Sequence, residues 1–392
     1  MTARIRRGRA TSPDIIFVEA TDLSVEFHFL FIMRKLVDGG NDVHVMTRDT
    51  GRLERIAKET GVATHPQLME RNPSPWKDAI SLIRMLTDLR TLSPRSVVYA
   101  TPKGALLASI SSRLARVPKR VYVVMGLRAE SSTGLSKKLL LALERIAVRN
   151  STHVVAVGPE LRELLKSSLV APGRVDVIGH GSAMGVDTVL FAPADEPPPE
   201  PVSSFGLDPT SPIVGFVGRV AADKGIDVLL AAMDFVREQI PRAQLLIVGP
   251  LEDFHEERIL NTPRTALTGD LKNTAPVYQL MDVLCLPSRR EGLPTVLLEA
   301  AASGVPIVAS AATGVKDVIA NGTTGLVVRI DDIQETATAI LAYLLDPPMA
   351  REMAQRARAD VTSRFSREFV VDSATAYYRA VLDDSLPHQL ES

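Results

Sequence analysis

Residues 283–310 read VLCLPSRREGLPTVLLEAAASGVPIVAS. An unbroken apolar run, VLCLPS, gives way to a polar loop from Arg289 to Leu293. Pro294 follows, and its fixed φ and missing N–H suit the first turn of a helix. TVLLEAAAS continues that helix, Gly304 stops it, and PIVAS opens a second apolar run. Strand, loop, helix and strand in this order make a βαβ unit. Strands that are apolar at every position belong to a parallel sheet covered on both faces. Glu291 stands in the loop of this unit, and Glu299 stands about one turn into a helix that otherwise reads as core. In such sheets ligands bind at the carboxyl ends of the strands. The helix start offers unpaired amides, at Thr295 and Val296 among others, and the positive end of its dipole, which together make a phosphate seat. A glutamate at position 299 can accept hydrogen bonds from a diol such as a ribose 2′,3′-hydroxyl pair. The competing reading is a capping carboxylate and a solvated one.

The same alternation runs through the chain in both directions. PIVGFVGR, QLLIVGP and TALTG precede the unit and GLVV follows it. The first half contributes IIFVEA, DVHVMTR, SVVYATP, RVYVVMG, HVVAVG and RVDVIG, with helical patterns over Trp76 to Leu92 and Gly134 to Arg149. Between the halves, PADEPPPEPVSSFGLDPTSP (Pro193 to Pro212) is rich in proline and poor in apolar residues, the composition of a linker. The 392 residues therefore read as two doubly wound α/β domains, over 1–192 and 213–365, joined by 193–212. Residues 366–392 form a terminal helix. Two facing sheets would enclose a cleft between the domains.

Composition narrows the function classes. Lys and Arg number 45 against 46 Asp and Glu, a net charge of −1, so no global basic field points to nucleic acid. The single cysteine, Cys285, lies in an apolar run; it rules out an internal disulfide framework and suits a reducing cytosol. The basic start MTARIRRGRATSPD is not followed directly by an apolar segment, so no signal peptide is expected, and no apolar run reaches the ~18 residues of a spanning helix. No His, Cys and carboxylate cluster has metal-ligand spacing, so no metal is expected.

A second motif is GFVGRVAADKG, residues 215–225. A strand ends at Gly218, its loop carries Arg219, and Lys224 with Gly225 opens the next helix. Two cations on a loop whose backbone can approach closely could flank a diphosphate. Strand–loop–helix units with a basic residue are common, so the motif gains weight only beside the Glu291 loop, on the same sheet edge.

Taken together, GFVGRVAADKG, PSRREGLPTVLLEAAASGVPIVAS and TGVKDVIANGTTGLVV resemble glycosyltransferase family 4. The resemblance implies a GT-B fold and a retaining enzyme. It implies that Glu299 holds the ribose of a nucleotide-sugar, that Glu291 contacts the donor sugar, and that Arg219 and Lys224 neutralise the diphosphate. Gly218, Gly292, Leu293, Thr295 and Val296 complete the donor side. The catalytic set is then Glu291, Arg219 and Lys224, with a nucleotide-sugar as substrate and no cofactor. In the first half, GLRAESSTGLSKKLLLALERIAVRNSTHVVAVGPELRE and VIGHGSAMGVDTVLF are similar to capsular and exopolysaccharide glycosyltransferases, which commonly act on polyprenyl-diphosphate-linked acceptors. That places Met125, Arg128 and His180 on the acceptor side. Met125 stands where many members carry a histidine, His180 and Met184 stand where related members carry asparagines, and the loop after IIFVEA lacks the usual glycines.

The expected function is transfer of a hexosyl or N-acetylhexosaminyl group from a UDP-sugar to a saccharide or lipid-linked acceptor in the cytoplasm. A nucleotide-sugar epimerase or hydrolase, or a catalytically silent nucleotide-sugar-binding subunit, are the alternatives. GLSKKLLLALERIAVR sets leucines at helical spacing beside Lys137, Lys138, Arg145 and Arg149. It reads either as a helix packed on its sheet or as a face for the anionic inner leaflet. His28 reads as a packed or surface histidine before it reads as a cleft residue. For His180, beside two glycines at a strand end, both readings stand. The resemblance also implies that the last helix crosses back to the first domain.

Overall fold

The computed structural model describes residues 12–70, 74–169, 175–193 and 202–386. Most of the N-terminal basic segment, and residues 194–201 of the proline-rich linker, lie outside the described residues. Seven parallel strands form the first sheet: β1 (Ile15–Thr21), β2 (Val43–Arg48), β3 (Ala63–Pro66), β4 (Ser96–Tyr99), β5 (Lys119–Val124), β6 (His153–Ala156) and β7 (Val175–Val177). Their order is β3-β2-β1-β4-β5-β6-β7. The intervening helices are α1 (Asp22–Asp38), α2 (Leu53–Thr60), α3 (Pro75–Leu92), α4 (Pro102–Leu114), α5 (Gly134–Asn150) and α6 (Pro159–Ser168). The strand order reverses direction between β1 and β4. Right-handed crossovers therefore place α1 and α2 on one face and α3 to α6 on the other.

The second sheet holds β8 (Ile213–Val217), β9 (Gln244–Val248), β10 (Thr265–Leu267), β11 (Val283–Leu286), β12 (Ile307–Ser310) and β13 (Leu326–Val328), in the order β10-β9-β8-β11-β12-β13. Its helices are α7 (Ile226–Gln239), α8 (Glu256–Leu260), α9 (Ala275–Tyr278), α10 (Thr295–Ala302), α11 (Val315–Val318) and α12 (Ile333–Leu345); α13 (Pro347–Phe365) and α14 (Arg367–Leu382) end the chain. The strands read from sequence are all present. Both β1 and β8 are buried on both faces, which is why their sequences are apolar without alternation. The short edge strand β3, ATHP, has no apolar run and was not anticipated. Asp332 accepts a hydrogen bond from the Glu335 amide at 2.8 Å and so caps the start of α12.

The chain returns to the first domain at its end. Val186 pairs with Ser366 as an isolated bridge, and the Arg367 guanidinium meets Asp187 at 2.9 Å. Gly185, at φ +63°, lies against the backbone of Phe365 and Arg367, where a Cβ would collide. Beyond this junction α14 packs on α1. The Tyr378 ring meets Phe17 edge-on at 5.7 Å, and the Tyr377 hydroxyl donates to Asp176 at 3.0 Å.

Candidate active site

The carboxyl ends of the two sheets face one another across a cleft of about 360 Å³. Its second-domain wall is built from two strand exits. β8 ends in Gly218, whose φ of +146° favours glycine; Arg219 follows, and a 3₁₀ turn over Ala222–Lys224 brings Lys224 back toward the sheet edge. Gly225, at φ +68°, rests against the Pro287 backbone, which ties this loop to the exit of β11. From there Glu291, Gly292 and Leu293 lead into α10. Every residue expected on the donor side lines this cleft: Gly218, Arg219 and Lys224 from one loop, and Glu291, Gly292, Leu293, Thr295, Val296 and Glu299 from the other. The Leu297 amide donates to the Pro294 carbonyl at 3.1 Å, and the Thr295 and Val296 amides precede it at the start of α10.

The charges here are arranged in pairs. The Lys224 ammonium donates to Glu291 Oε1 at 2.5 Å. Arg219 is paired with Glu252 and lies 3.5 Å from Asp223, and Asp223 also receives Arg290 at 2.7 Å. Glu299 accepts a hydrogen bond from the Tyr278 hydroxyl at 2.7 Å. Burial raises its pKa to about 7, against the opposing pull of that hydroxyl and of Arg367. Tyr278 was not singled out from sequence. It lies in VYQLMD, and nothing local to that segment marks a tyrosine aimed at the helix beyond the next strand.

The first-domain wall is mostly apolar, with Phe27, Met125, Val157, Ala183 and Met184 facing the donor loops. Met125 and Gly126 press on Gly292, at a spacing that leaves no room for a Cβ there. His28 also lines the cleft. This corrects the sequence expectation of a packed or surface histidine. Its Nδ1 lies 2.9 Å from Glu19 Oε1, at the buried end of β1. Arg128 is exposed at the start of a 3₁₀ turn and His180 stacks on Phe369 at 5.6 Å; neither lines the cleft. The positive φ of Gly179 and Gly181 turns His180 toward α14. A larger cavity of about 700 Å³ lies beside the Val186–Ser366 bridge, lined by Phe31, Arg34 and Arg367 among others, but it contains none of the donor-side residues.

Below the cleft the domains are joined by carboxylates. Glu160 accepts from the Gly314 amide at 2.7 Å while its own amide donates to Asp317 at 3.0 Å. Thr313 donates to Glu130 at 2.5 Å, and Arg290 Nε to Ser131 at 3.0 Å. Burial raises the pKa of Asp317 to about 6 and also raises that of Glu130.

Residues 211–346 match the family model described as glycosyl transferases group 1, and residues 25–181 match the glycosyl transferase 4-like domain. Together the two glycosyltransferase models span both domains. It is 27% identical over 351 residues to the capsular polysaccharide biosynthesis glycosyltransferase CapM of Staphylococcus aureus, covering 88% of this chain and 91% of that one. It is 27% identical over 347 residues to the UDP-Gal:α-D-GlcNAc-diphosphoundecaprenol α-1,3-galactosyltransferase of Escherichia coli, covering 86% and 88%. Among solved structures, sucrose-phosphate synthase from Thermosynechococcus elongatus superposes with a TM-score of 0.77 at 20% identity, over 95% of this chain and all (100%) of that one. Anabaena HepE in complex with UDP and glucose gives 0.76 at 17% identity, over 94% and 100%. These likenesses show the GT-B fold. The protein is a glycosyltransferase.

Proposed function

We propose that the protein is a retaining glycosyltransferase of family 4 that moves a hexosyl or N-acetylhexosaminyl group from a UDP-sugar to a polyprenyl-diphosphate-linked or saccharide acceptor in cell-surface polysaccharide synthesis. The observation that carries this reading is the convergence of Arg219, Lys224, Glu291, Glu299 and the α10 amides on one cleft. Glu299 holds the ribose diol, with Tyr278 fixing one of its oxygens. Arg219, Lys224 and the amides after Pro294 receive the diphosphate, and Glu291 meets the donor sugar. Support for UDP and for a lipid-linked acceptor comes from the galactosyltransferase relative, whose name contains both.

In the reaction the bond from the anomeric carbon to the β-phosphate oxygen breaks, and its electron pair leaves with UDP. The developing negative charge falls where the two cations and the helix dipole point. The acceptor oxygen attacks the same face within the ion pair, and its proton passes to the departing phosphate. The chain's own cations supply the positive charge, so we propose no metal requirement. Screening nucleotide-sugars for thermal stabilisation, followed by proton NMR of the product formed on a lipid-linked acceptor, tests the reading. A product of inverted configuration would overturn retention, and stabilisation by GDP- or ADP-sugars alone would overturn the donor.

The acceptor side adds a location. α5 packs through Ala147 and Val148 but leaves Leu135 and Leu139 exposed at 84% and 61%, beside Lys137 and Lys138. On the same face of the sheet α3 exposes Trp76 at 78% and Ile83 at 62%. Apolar side chains interleaved with cations fit an anionic bilayer surface, and we propose that this face holds the enzyme on the cytoplasmic leaflet. Among the described residues no helix is long and apolar enough to cross a membrane.

A further inference from the structure

The two walls of the cleft differ in chemistry. Among the described residues the second domain supplies every charged group to it, whereas the first domain supplies five apolar side chains and one polar one, His28. A sugar acceptor entering against the first domain would find apolar surface for its C–H faces and a single polar side chain for its hydroxyls.

His28 is not placed by chance of packing. It sits in the second turn of α1, and its Nδ1 is 2.9 Å from Oε1 of Glu19. Glu19 is fully buried, at 0% exposure, and among the described residues its Oε2 has no hydrogen-bond partner. A buried carboxylate half satisfied in this way is costly to fold around, and a packed histidine alone gives no return for it. A carboxylate can only accept, so Nδ1 carries the hydrogen of this bond. The ring is thereby pinned at one edge, and the opposite edge, with Nε2, is the one left for the cleft. The His28 side chain remains 25% exposed.

We propose that His28 is an acceptor-binding residue, its Nε2 meeting a hydroxyl of the incoming sugar, and that Glu19 is the positioning residue that fixes the ring. Phe27, one position earlier and 56% exposed, gives the same sugar an apolar platform. The assignment rests on the glycosyltransferase reading above and concerns the acceptor half alone.

The test is steady-state kinetics on the lipid-linked acceptor that gives the highest turnover with wild type, paired with calorimetry of UDP. His28→Ala is expected to raise the acceptor KM or lower transfer by about tenfold or more, the size of a lost hydrogen bond to a polar ligand. His28→Gln, which keeps a hydrogen-bonding group, recovers part of the loss. UDP affinity stays within about twofold in both, because no donor contact is removed. Glu19→Gln lowers transfer in the wild-type background and adds nothing in the His28→Ala background, a coupling that a purely structural glutamate would not show. Unchanged acceptor kinetics in His28→Ala overturns the assignment, as does a loss of UDP affinity matching the loss of transfer, since His28 would then belong to the donor. A wild type that transfers to no acceptor overturns the proposed function itself, an outcome distinct from these.

Discussion

Arg219 and Lys224 do not wait alone for a diphosphate; each already holds a carboxylate, Glu252 and Glu291. Those partners keep the guanidinium and the ammonium ordered, so little reorganisation is left for the leaving group to impose. Arg219→Ala or Lys224→Ala should lower kcat by about 10²–10³-fold with the fold intact, and wild type assayed in EDTA should stay within about twofold of its untreated rate, because the charge comes from these side chains. Near-wild-type turnover of either variant at saturating donor would remove the pair from the mechanism. Glu299 makes a pH prediction whose sign follows from burial. Its pKa lies at about 7 in the folded protein against an ordinary 4.5. The protonated form is therefore favoured by the fold, and its stabilising effect is complete below 4.5 and lost as pH rises through about 7. Glu299→Gln stays neutral, so by thermal melts it should exceed wild type in stability at pH 8 by about 3 kcal/mol and match it near pH 4. Ribose hydroxyls donate to the ionised form, so wild-type affinity for UDP should rise between pH 6 and pH 8, a step that the glutamine variant should lack.

At the scale of elements, the exposed row of α5 decides between a helix that only packs and one that also docks. Each basic residue near an anionic surface contributes about 1 kcal/mol, screened by salt. The protein should co-sediment with anionic vesicles at low salt, ignore neutral ones and be released at high salt. Lys137→Glu with Lys138→Glu should weaken vesicle binding together with transfer to a lipid-linked acceptor; unchanged co-sedimentation would leave α5 as a packed helix. Elements were also what the sequence disclosed best. β8 to β13 are legible because a strand buried on both faces must be apolar throughout, and the donor loops are legible because strand exit, glycine, cation and helix start follow one another in the chain. β3 was hidden since an edge strand needs no apolar run. The first-domain wall was harder for a different reason. His28 and Glu19 in that wall, like Tyr278 in the second domain, act through partners in other elements, and no spacing encodes those. The one local signal was Glu19 itself, a carboxylate closing the apolar run IIFVEA. Arg128 and His180 sit near strand ends, but proximity to a sheet edge does not say which way a loop turns, and two left-handed glycines turn His180 outward.

The whole molecule is two rigid sheets joined at the Gly185–Arg367 crossing and by the carboxylate contacts around Asp317. Those contacts bury Asp317 and Glu130, and burial raises both pKa values. Opening the cleft would return them to water, so their ionisation favours the open form. Small-angle scattering should show the radius of gyration growing as pH rises from 5 to 8 through the value of about 6 for Asp317, and Asp317→Asn should flatten that change; a radius that is constant with pH would mean that the contacts carry no such load. The central claim is that the second-domain wall of this cleft binds a nucleoside diphosphate through Glu299, Lys224 and Arg219. Calorimetric titration of UDP at pH 8 into wild type, Glu299→Gln and Lys224→Ala addresses it directly. Wild type should bind with one site per chain, and each variant should bind about tenfold or more weakly, the cost of a lost charge-assisted contact. UDP that fails to bind wild type, or that binds both variants as tightly as wild type, would contradict it.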